Sequence, residues 1–264
     1  MNGETIIFAT LGDPIAQVQT PILIPPILER RQINATWIPL HTPAGQLAPA
    51  IAGLRLLPNV RGFTVTVPHK QAMLDLCDEA SPRAHAAGGV NLVRRDADGR
   101  LLGDMVDGVG CVAGLVQAGH VVSGKTAWIV GAGGAGAAIA VALAEAGIGR
   151  IFITEADKQR GLALGERIRS FRPGLPVSVV DGMPCAPVFA INATPIGMSP
   201  TDPLPFDVDQ LPSDCIVCEV IMKPAETRLL GAARARGLKV QPGRPMLEEQ
   251  IGLYLKYLGL DGDA

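Results

Sequence analysis

The sequence has few cysteines, no concentration of charge of one sign and no long apolar run, and each shortage excludes a class of protein. Its five cysteines are an odd number spread from Cys77 to Cys218, which argues against a disulfide framework and suits a reducing compartment. The 23 basic residues are scattered and are balanced by 25 acidic ones, for a formal net charge of -2. Because no basic surface is concentrated enough to attract nucleic acid, we expect a small molecule as the partner of a monomer or homodimer.

Segments that would target the chain to a membrane are also missing. The apolar run at residues 6–8 is too short for a signal peptide, and Glu4 stands where a basic residue would be expected. The longest apolar stretch, residues 135–148, contains Glu145 and is shorter than the roughly 20 residues that cross a bilayer. We therefore expect a cytoplasmic protein that binds no membrane.

Cys215 and Cys218 form a CxxC pair that could suggest a metal site. The apolar residues between them indicate a buried strand, in which positions three apart point to opposite faces, and no second Cys/His pair lies nearby. We interpret both cysteines as small buried residues and expect no metal.

The chain is instead rich in short apolar runs that alternate with helical patterns from end to end, which is typical of an α/β fold. Its 264 residues, 48% of them hydrophobic, are enough for two domains. We predict an N-terminal mixed or parallel α/β substrate-binding domain, residues 1–106 plus 243–264. The second domain is predicted to be a doubly wound Rossmann domain that binds NAD(P), residues 107–242.

Local patterns predict the elements of these domains. The first domain is predicted to contain strands at 6–11, 35–40 and 62–67, helices at 21–31, 45–57 and from Lys70, and a hairpin whose turn is Asp98-Gly99. The second restarts with a strand at 126–130 and adds strands at Ile151, Val177, Phe189 and Ile216. The proline-rich segment 200–212 is predicted to be an exposed loop. Apolar residues on one face of a last helix, 245–258, place that helix on the first domain.

The strongest single motif is a glycine loop that follows the strand 126–130. Its six residues fit GxGxxG and open a helix of small residues. Such glycines allow a tight turn, close approach of a pyrophosphate and close packing of helix on sheet. The helix N-terminus then favours the phosphate charge. We predict a dinucleotide site that includes Gly131, Gly133, Gly134, Ala135 and Gly136.

Glu155 ends the next strand, about 20 residues beyond the last glycine. A carboxylate at this position can accept hydrogen bonds from the adenosine ribose and would repel a 2′-phosphate. Lys158 and Arg160 are close in sequence, but no arginine starts the loop. We therefore favour NAD over NADP as the cofactor. If Glu155 is only a solvated loop residue, the choice of cofactor stays open.

A glycine loop identifies a cofactor and not a reaction, so the chemistry must come from ionisable residues elsewhere. Lys70 follows the segment 64–69, where a strand ends and a helix should begin, and Asp107 starts the helix that leads into the second domain. Asn91 lies in the hairpin between them. A lysine and a carboxylate are ionisable groups of the kind that transfer protons in catalysis. From composition alone, a surface Lys-Asp pair without chemistry would be the more common interpretation.

Several motifs together resemble the shikimate dehydrogenase family over essentially the whole chain. The matching segments are Gly12-Asp13-Pro14-Ile15-Ala16, Val65-Thr66-Val67-Pro68-His69-Lys70, Gly89-Val90-Asn91, Leu101-Leu102-Gly103-Asp104, Asp107-Gly108-Val109-Gly110, the glycine loop and Ile191-Asn192-Ala193-Thr194. That family oxidises a ring hydroxyl of shikimate, or reduces 3-dehydroshikimate, with NADP or NAD. The resemblance implies the same activity and cofactors here.

The resemblance also implies a role for individual residues. Lys70 and Asp107 would be the catalytic pair, and Thr66, Asn91 and Gln250 would bind the substrate. Asn192 and Thr194 would join the cofactor site. The family's counterpart of His69 is usually aromatic, so we interpret His69 as a lining residue.

Some substrate positions depart from the family pattern. The family's Ser-x-Ser substrate anchor corresponds here to Val18-Gln19-Thr20, so one hydroxyl is missing. A carboxylate left partly unpaired against Val18 would cost about 1–3 kcal/mol unless Gln17 or Gln19 turned inward. A tyrosine that usually lines the pocket corresponds to Met222. We therefore predict retained hydride transfer on an altered, shikimate- or quinate-like ring carboxylate.

Two other functions are compatible with the sequence. One is an ordinary NADP-dependent shikimate dehydrogenase of aromatic amino acid biosynthesis that tolerates the altered anchor. The other is a non-catalytic dinucleotide-sensing protein that has kept the fold, although retention of Lys70 and Asp107 argues against it.

Overall fold

The computed structural model describes residues 1–261 and forms two compact units, each with its own six-stranded sheet. The first unit is Met1–Val106 together with the chain from Ile251 onward, and the second is Asp107–Gln250. The predicted range 243–264 extends three residues beyond the described part. Among the described residues, no helix combines the length and apolar character that a membrane span requires.

The first unit is a mixed sheet with helices. Its strands are β1 (Ile6–Gly12), β2 (Ala35–His41), β3 (Val60–Val65), β4 (Glu79–Ala80), β5 (Leu92–Arg95) and β6 (Leu101–Asp104). Its helices are α1 (Thr20–Leu23), α2 (Pro25–Arg30), α3 (Leu47–Arg55), α4 (Lys70–Leu76) and α5 (Pro82–Ala87). The strand order is β2-β1-β3-β5-β6-β4, with β1 parallel to β2 and β3, and β5 antiparallel to β3 and β6. The β5–β6 pair is the predicted hairpin, and Gly99 in its turn has a φ of 82°.

The second unit is a doubly wound parallel sheet. Its strands are β7 (Thr126–Val130), β8 (Arg150–Thr154), β9 (Val177–Val179), β10 (Phe189–Asn192), β11 (Ile216–Glu219) and β12 (Lys239–Gln241). Its helices are α6 (Asp107–Gln117), α7 (Gly134–Glu145), α8 (Lys158–Phe171) and α9 (Arg228–Ala235), with a short 3₁₀ turn at Val208–Gln210. The order β12-β11-β10-β7-β8-β9 reverses direction between β7 and β10. This reversal is the topological switch point at which such sheets bind ligands.

Helix α10 (Arg244–Tyr257) has its residues in both units. Its start packs in the second unit, where a Cβ on Gly110 would meet Met246 O at 2.4 Å and Gln250 Cγ at 2.6 Å. Its later residues Tyr254 and Leu255 belong to the core of the first unit. The boundary predicted at residue 243 therefore lies within the second unit in the structure, because the first turns of α10 pack closely on α6.

The strand predicted at 62–67 lies two residues earlier, at Val60–Val65. Two further predicted elements differ in character from the structure. The helix expected at 21–31 is two short helices, because Pro25 lacks the N–H that would continue α1. The segment 200–212 is not simply exposed. Phe206, Val208 and Leu211 are buried in the core of the second unit, since the apolar residues between the prolines anchor the loop to the sheet.

Candidate active site

The lysine predicted as catalytic stands at the start of α4, directly after the end of β3 and a short turn. Its backbone oxygen accepts a hydrogen bond from Val90 N at 2.8 Å. The preceding residue, His69, is buried, and its Nε2 lies 2.7 Å from Thr42 O. Lys70 itself is half-buried. The backbone of Lys70 is therefore held in place just after the end of β3.

Asn91 is buried and connects three segments of the first unit. Its backbone oxygen accepts from Val65 N at 2.8 Å, and its side-chain Oδ1 accepts from Val106 N at 2.8 Å. Thr66, half-buried, follows Val65 directly. The structure thus brings Lys70, Thr66 and Asn91 together at one end of β3, and Asn91 also fixes the backbone of the residue before Asp107.

The predicted substrate anchor lies on the loop after β1. Thr20 is buried at the start of α1, and its hydroxyl is 2.5 Å from the Oγ1 of Thr10. Val18 is partly buried. The amides of Gln17 and Gln19 do not replace the missing hydroxyl, because they donate to the backbone oxygens of Pro14 (2.6 Å) and Gln17 (2.9 Å).

In the second unit, Asp107 and Gln250 lie close together. Both are buried, and Gln250 Nε2 is 3.5 Å from the backbone oxygen of Asp107. Met222 follows β11 and its side chain is exposed. The predicted pairing of Lys70 with Asp107 joins residues of different units and stays a prediction.

The glycine loop has the local geometry that its sequence predicts. Gly131 has a φ of 103°, which favours glycine, and a Cβ on Gly136 would lie 1.9 Å from Gly131 O. At Gly133, by contrast, a Cβ would meet nothing within 4 Å. The loop therefore has open backbone at the N-terminus of α7, which fits the pyrophosphate of a dinucleotide.

Glu155 is engaged more closely than its sequence suggests. Its Oε2 accepts from Ala132 N in the glycine loop at 2.6 Å, and its Oε1 lies 2.6 Å from the guanidinium of Arg160. The Glu155 side chain is only 6% exposed, whereas that of Arg160 is 53% exposed. Burial alone would raise the pKa of Glu155, but the hydrogen bonds from Arg160, Ala132 and Asp157 outweigh it and hold the pKa below its usual value.

A hydrogen-bond network follows β10 beside the glycine loop. Ala193 N donates to Val130 O at 2.8 Å, which joins the two segments. Asn192 Oδ1 accepts from the backbone and hydroxyl of Thr194, and its Nδ2 donates to both oxygens of Glu219 at 3.0 and 3.1 Å. Burial raises the pKa of the Glu219 carboxyl. The Asn192 amide is therefore fixed in one orientation.

Sequence reasoning missed four polar residues of these sites, namely Thr10, Thr64, Arg160 as the partner of Glu155, and Glu219. Glu219 was detectable, since it is the one charged residue in the apolar segment 215–222. The threonines gave no signal because they lie within ordinary strand patterns.

Cys215 and Cys218 were interpreted from the sequence as small buried residues, and the structure shows that burial. Cys215 and Cys218 are both buried free thiols. Burial raises the pKa of Cys215 to about 12 and that of Cys218 well above its usual value. Within residues 1–261, no group of three His, Cys, Asp or Glu side chains could hold a metal ion.

A family model and the sequence relatives agree on one family. Residues 10–93 match the model of the shikimate dehydrogenase substrate binding domain. A shikimate dehydrogenase (NADP(+)) of Rubrobacter xylanophilus is 36% identical over 100% of this chain and 94% of its own length. The structure of shikimate 5-dehydrogenase from Listeria monocytogenes in complex with shikimate and NAD superposes with a TM-score of 0.89 at 27% identity, covering 98% of this chain and 93% of that one. The structure of the ligand-free 5-ketofructose reductase of Gluconobacter sp. superposes with a TM-score of 0.88 at 29% sequence identity, covering 97% of this chain and 94% of that one.

Proposed function

The chain belongs to the shikimate dehydrogenase family, and on that premise we propose that it interconverts shikimate and 3-dehydroshikimate by reversible hydride transfer. It is an NAD(P)-dependent oxidoreductase with two α/β units. The observation that carries the proposed reaction is the position of Lys70, anchored through Val90 beside Asn91 at the end of β3. A place in aromatic amino acid biosynthesis and a cytoplasmic location stay predictions.

Lys70 is proposed to be the proton acceptor and donor at the reacting hydroxyl. When bound, the nicotinamide cofactor supplies the hydride acceptor, and the protein must remove the hydroxyl proton at the same time. Asp107 would hold the protonated lysine by charge and accept a hydrogen bond from a neighbouring hydroxyl. Asn91, Thr66 and Gln250 would orient the other hydroxyls of the ring.

For the cofactor, we propose that NADP is accepted at least as well as NAD. The argument for NAD relied on repulsion between Glu155 and a 2′-phosphate. That repulsion is reduced because Arg160 already pairs with this carboxylate at 2.6 Å, and its exposed guanidinium can bind an added phosphate. The relatives named for NADP(+) support the same choice.

A second candidate substrate is favoured by the loop after β1. A carboxylate bound there would meet the hydroxyl of Thr20 but the methyl groups of Val18, and the amides of Gln17 and Gln19 are engaged elsewhere. Met222 adds a further change. A structural neighbour is named for reduction of 5-ketofructose, so an altered polyhydroxylated substrate, including a quinate-like one, is the alternative.

Steady-state assays in both directions would decide between the candidates. Purified protein would be tested with shikimate, quinate and 5-ketofructose against NADP(H) and NAD(H). We expect turnover of shikimate with NADP. Turnover of quinate or 5-ketofructose without turnover of shikimate would refute the first candidate, and tight cofactor binding with no turnover on a broad panel would favour a non-catalytic sensor.

Variants of Lys70 test the mechanism. Lys70→Ala is expected to lower kcat by about 10²- to 10⁴-fold, the usual contribution of general acid-base catalysis. Cofactor affinity should be unchanged, as measured by titration calorimetry. An unaltered kcat would remove Lys70 from the mechanism.

A further inference from the structure

Four polar side chains form a buried cluster beneath the predicted substrate anchor in the first unit. The Oγ1 of Thr10 lies 2.5 Å from that of Thr20, 2.8 Å from that of Thr64 and 2.8 Å from Trp37 Nε1. All four residues are at most 5% exposed. Thr10 is therefore the centre through which the other three are connected.

The protons of this cluster can be counted. The indole N–H only donates, and each threonine hydroxyl carries one proton, so four protons are shared among three hydrogen bonds. Thr10 accepts from Trp37, donates to one threonine and accepts from the other. One hydroxyl proton, on Thr20 or on Thr64, is always left without an acceptor inside the cluster.

The two proton orders differ in where this proton lies. If Thr20 donates to Thr10, the unused proton is on Thr64, in a strand with hydrogen-bonded neighbours β1 and β5 on its two sides. If Thr64 donates to Thr10 and Thr10 donates to Thr20, the unused proton is on Thr20, at the start of α1. An oxygen acceptor on a ligand at Thr20 would satisfy all four donors, whereas the other order leaves a buried donor unpaired.

We propose that Thr10 and Thr64 are positioning residues that direct the Thr20 hydroxyl proton toward an oxygen of the bound substrate, such as a carboxylate oxygen. Each hydrogen bond in the chain Thr64, Thr10, Thr20 polarises the next and strengthens the last donor. This inference rests on the proposed function, in which Thr20 contacts the substrate. It explains how a single hydroxyl can serve an anchor that has Val18 in place of a second one.

A double-mutant cycle on Thr10 and Thr20 tests the inference. Thr20→Val should raise the KM for shikimate about tenfold, as expected for one lost hydrogen bond to a charged group, with little change in kcat or in cofactor affinity. Thr10→Val should raise the same KM several-fold, and Thr10→Ser, which keeps the hydroxyl, should restore it. The double variant should be no worse than Thr20→Val, because Thr10 acts through Thr20.

Thr5→Val is the matched control, since Thr5 is a buried, hydrogen-bonded threonine before β1. It should leave the KM unchanged, whatever its effect on thermal stability. Multiplication of the two single effects in the double variant, or an unchanged KM in Thr10→Val, would overturn the positioning role while leaving the proposed function intact. Failure of the wild-type protein to bind shikimate in calorimetry would overturn both.

Discussion

Two alanine substitutions in the glycine loop separate its role in folding from its role in binding. Gly133 has a φ of -70°, which alanine adopts readily, and a Cβ there would meet nothing within 4 Å. Gly133→Ala should therefore leave the free energy of unfolding unchanged or raise it by about 0.4–1 kcal/mol. The new methyl group would nevertheless occupy the open backbone that a pyrophosphate approaches.

The cost of Gly133→Ala to binding follows from the hydrogen bonds at stake. Moving a phosphate away from the loop by the width of a methyl group breaks one or more bonds between backbone N–H groups and a charged oxygen. Each such bond is worth about 1.5–3 kcal/mol, so cofactor affinity should fall by about 10- to 150-fold. The assay is calorimetric titration with NADPH and NADH, together with thermal unfolding.

Gly136→Ala is the counterpart, in which folding itself is affected. The new Cβ would lie 1.9 Å from Gly131 O, and the oxygen would have to retreat by about 1 Å to reach the closest contact that packed atoms tolerate. Helix α7 cannot move away instead, because a Cβ on Gly108 of α6 would already be 2.0 Å from Ala138 O. We expect a loss of about 1–3 kcal/mol of stability as well as weaker binding.

Gly133→Ala must weaken cofactor binding without loss of stability, and Gly136→Ala must lose stability as well. If Gly133→Ala binds both cofactors as tightly as the wild-type protein does, the loop is not a phosphate site and the motif is merely structural. If Gly136→Ala is as stable as Gly133→Ala, the close packing described for Gly131 and Gly136 is not a constraint.

Three further predictions concern the second unit. In steady-state assays, Arg160→Ala should lower kcat/KM with NADPH about tenfold or more and leave kcat/KM with NADH nearly unchanged. Equal losses of kcat/KM with the two cofactors would show that Arg160 only supports Glu155. Burial raises the pKa of the Glu219 carboxyl in the folded protein above its ordinary value of 4.5. The protonated carboxyl therefore contributes fully to stability below pH 4.5, and this contribution is lost as the pH rises through the pKa of the folded state. Urea unfolding should therefore show the stability of the wild-type protein falling relative to that of Glu219→Gln as the pH rises above about 4.5. Gly108→Ala should lower Tm, because its Cβ would overlap the backbone of α7.

Sequence patterns predicted those parts of the molecule that depend on local chemistry. The strand, glycine loop and helix at 126–145 were predictable because glycine spacing and an apolar strand act over a few residues. The hairpin around Gly99 was predictable for the same reason. The split between α1 and α2 could have been predicted, since Pro25 and Pro26 interrupt the helical pattern.

Features that depend on contacts between distant segments were not predictable. Arg160 is an exception, because it is only five residues from Glu155 and its pairing with that carboxylate depends on how the local loop folds. Thr10 and Thr64 are 54 positions apart and meet because β1 and β3 are neighbours in the sheet. Burial of Phe206 depends likewise on the completed core. Long-range pairing thus decides which polar residues become part of a site.

Helix α10 also has a consequence for the order in which the chain can fold as it is synthesised. The core of the first unit combines Phe8 and Trp37 with Tyr254, Leu255 and Leu258. A ribosome would therefore release the whole of 107–250, a continuous unit, before the last side chains of the N-terminal core become available. Because domains generally fold as units, we infer that the part of the protein made first acquires its complete core last.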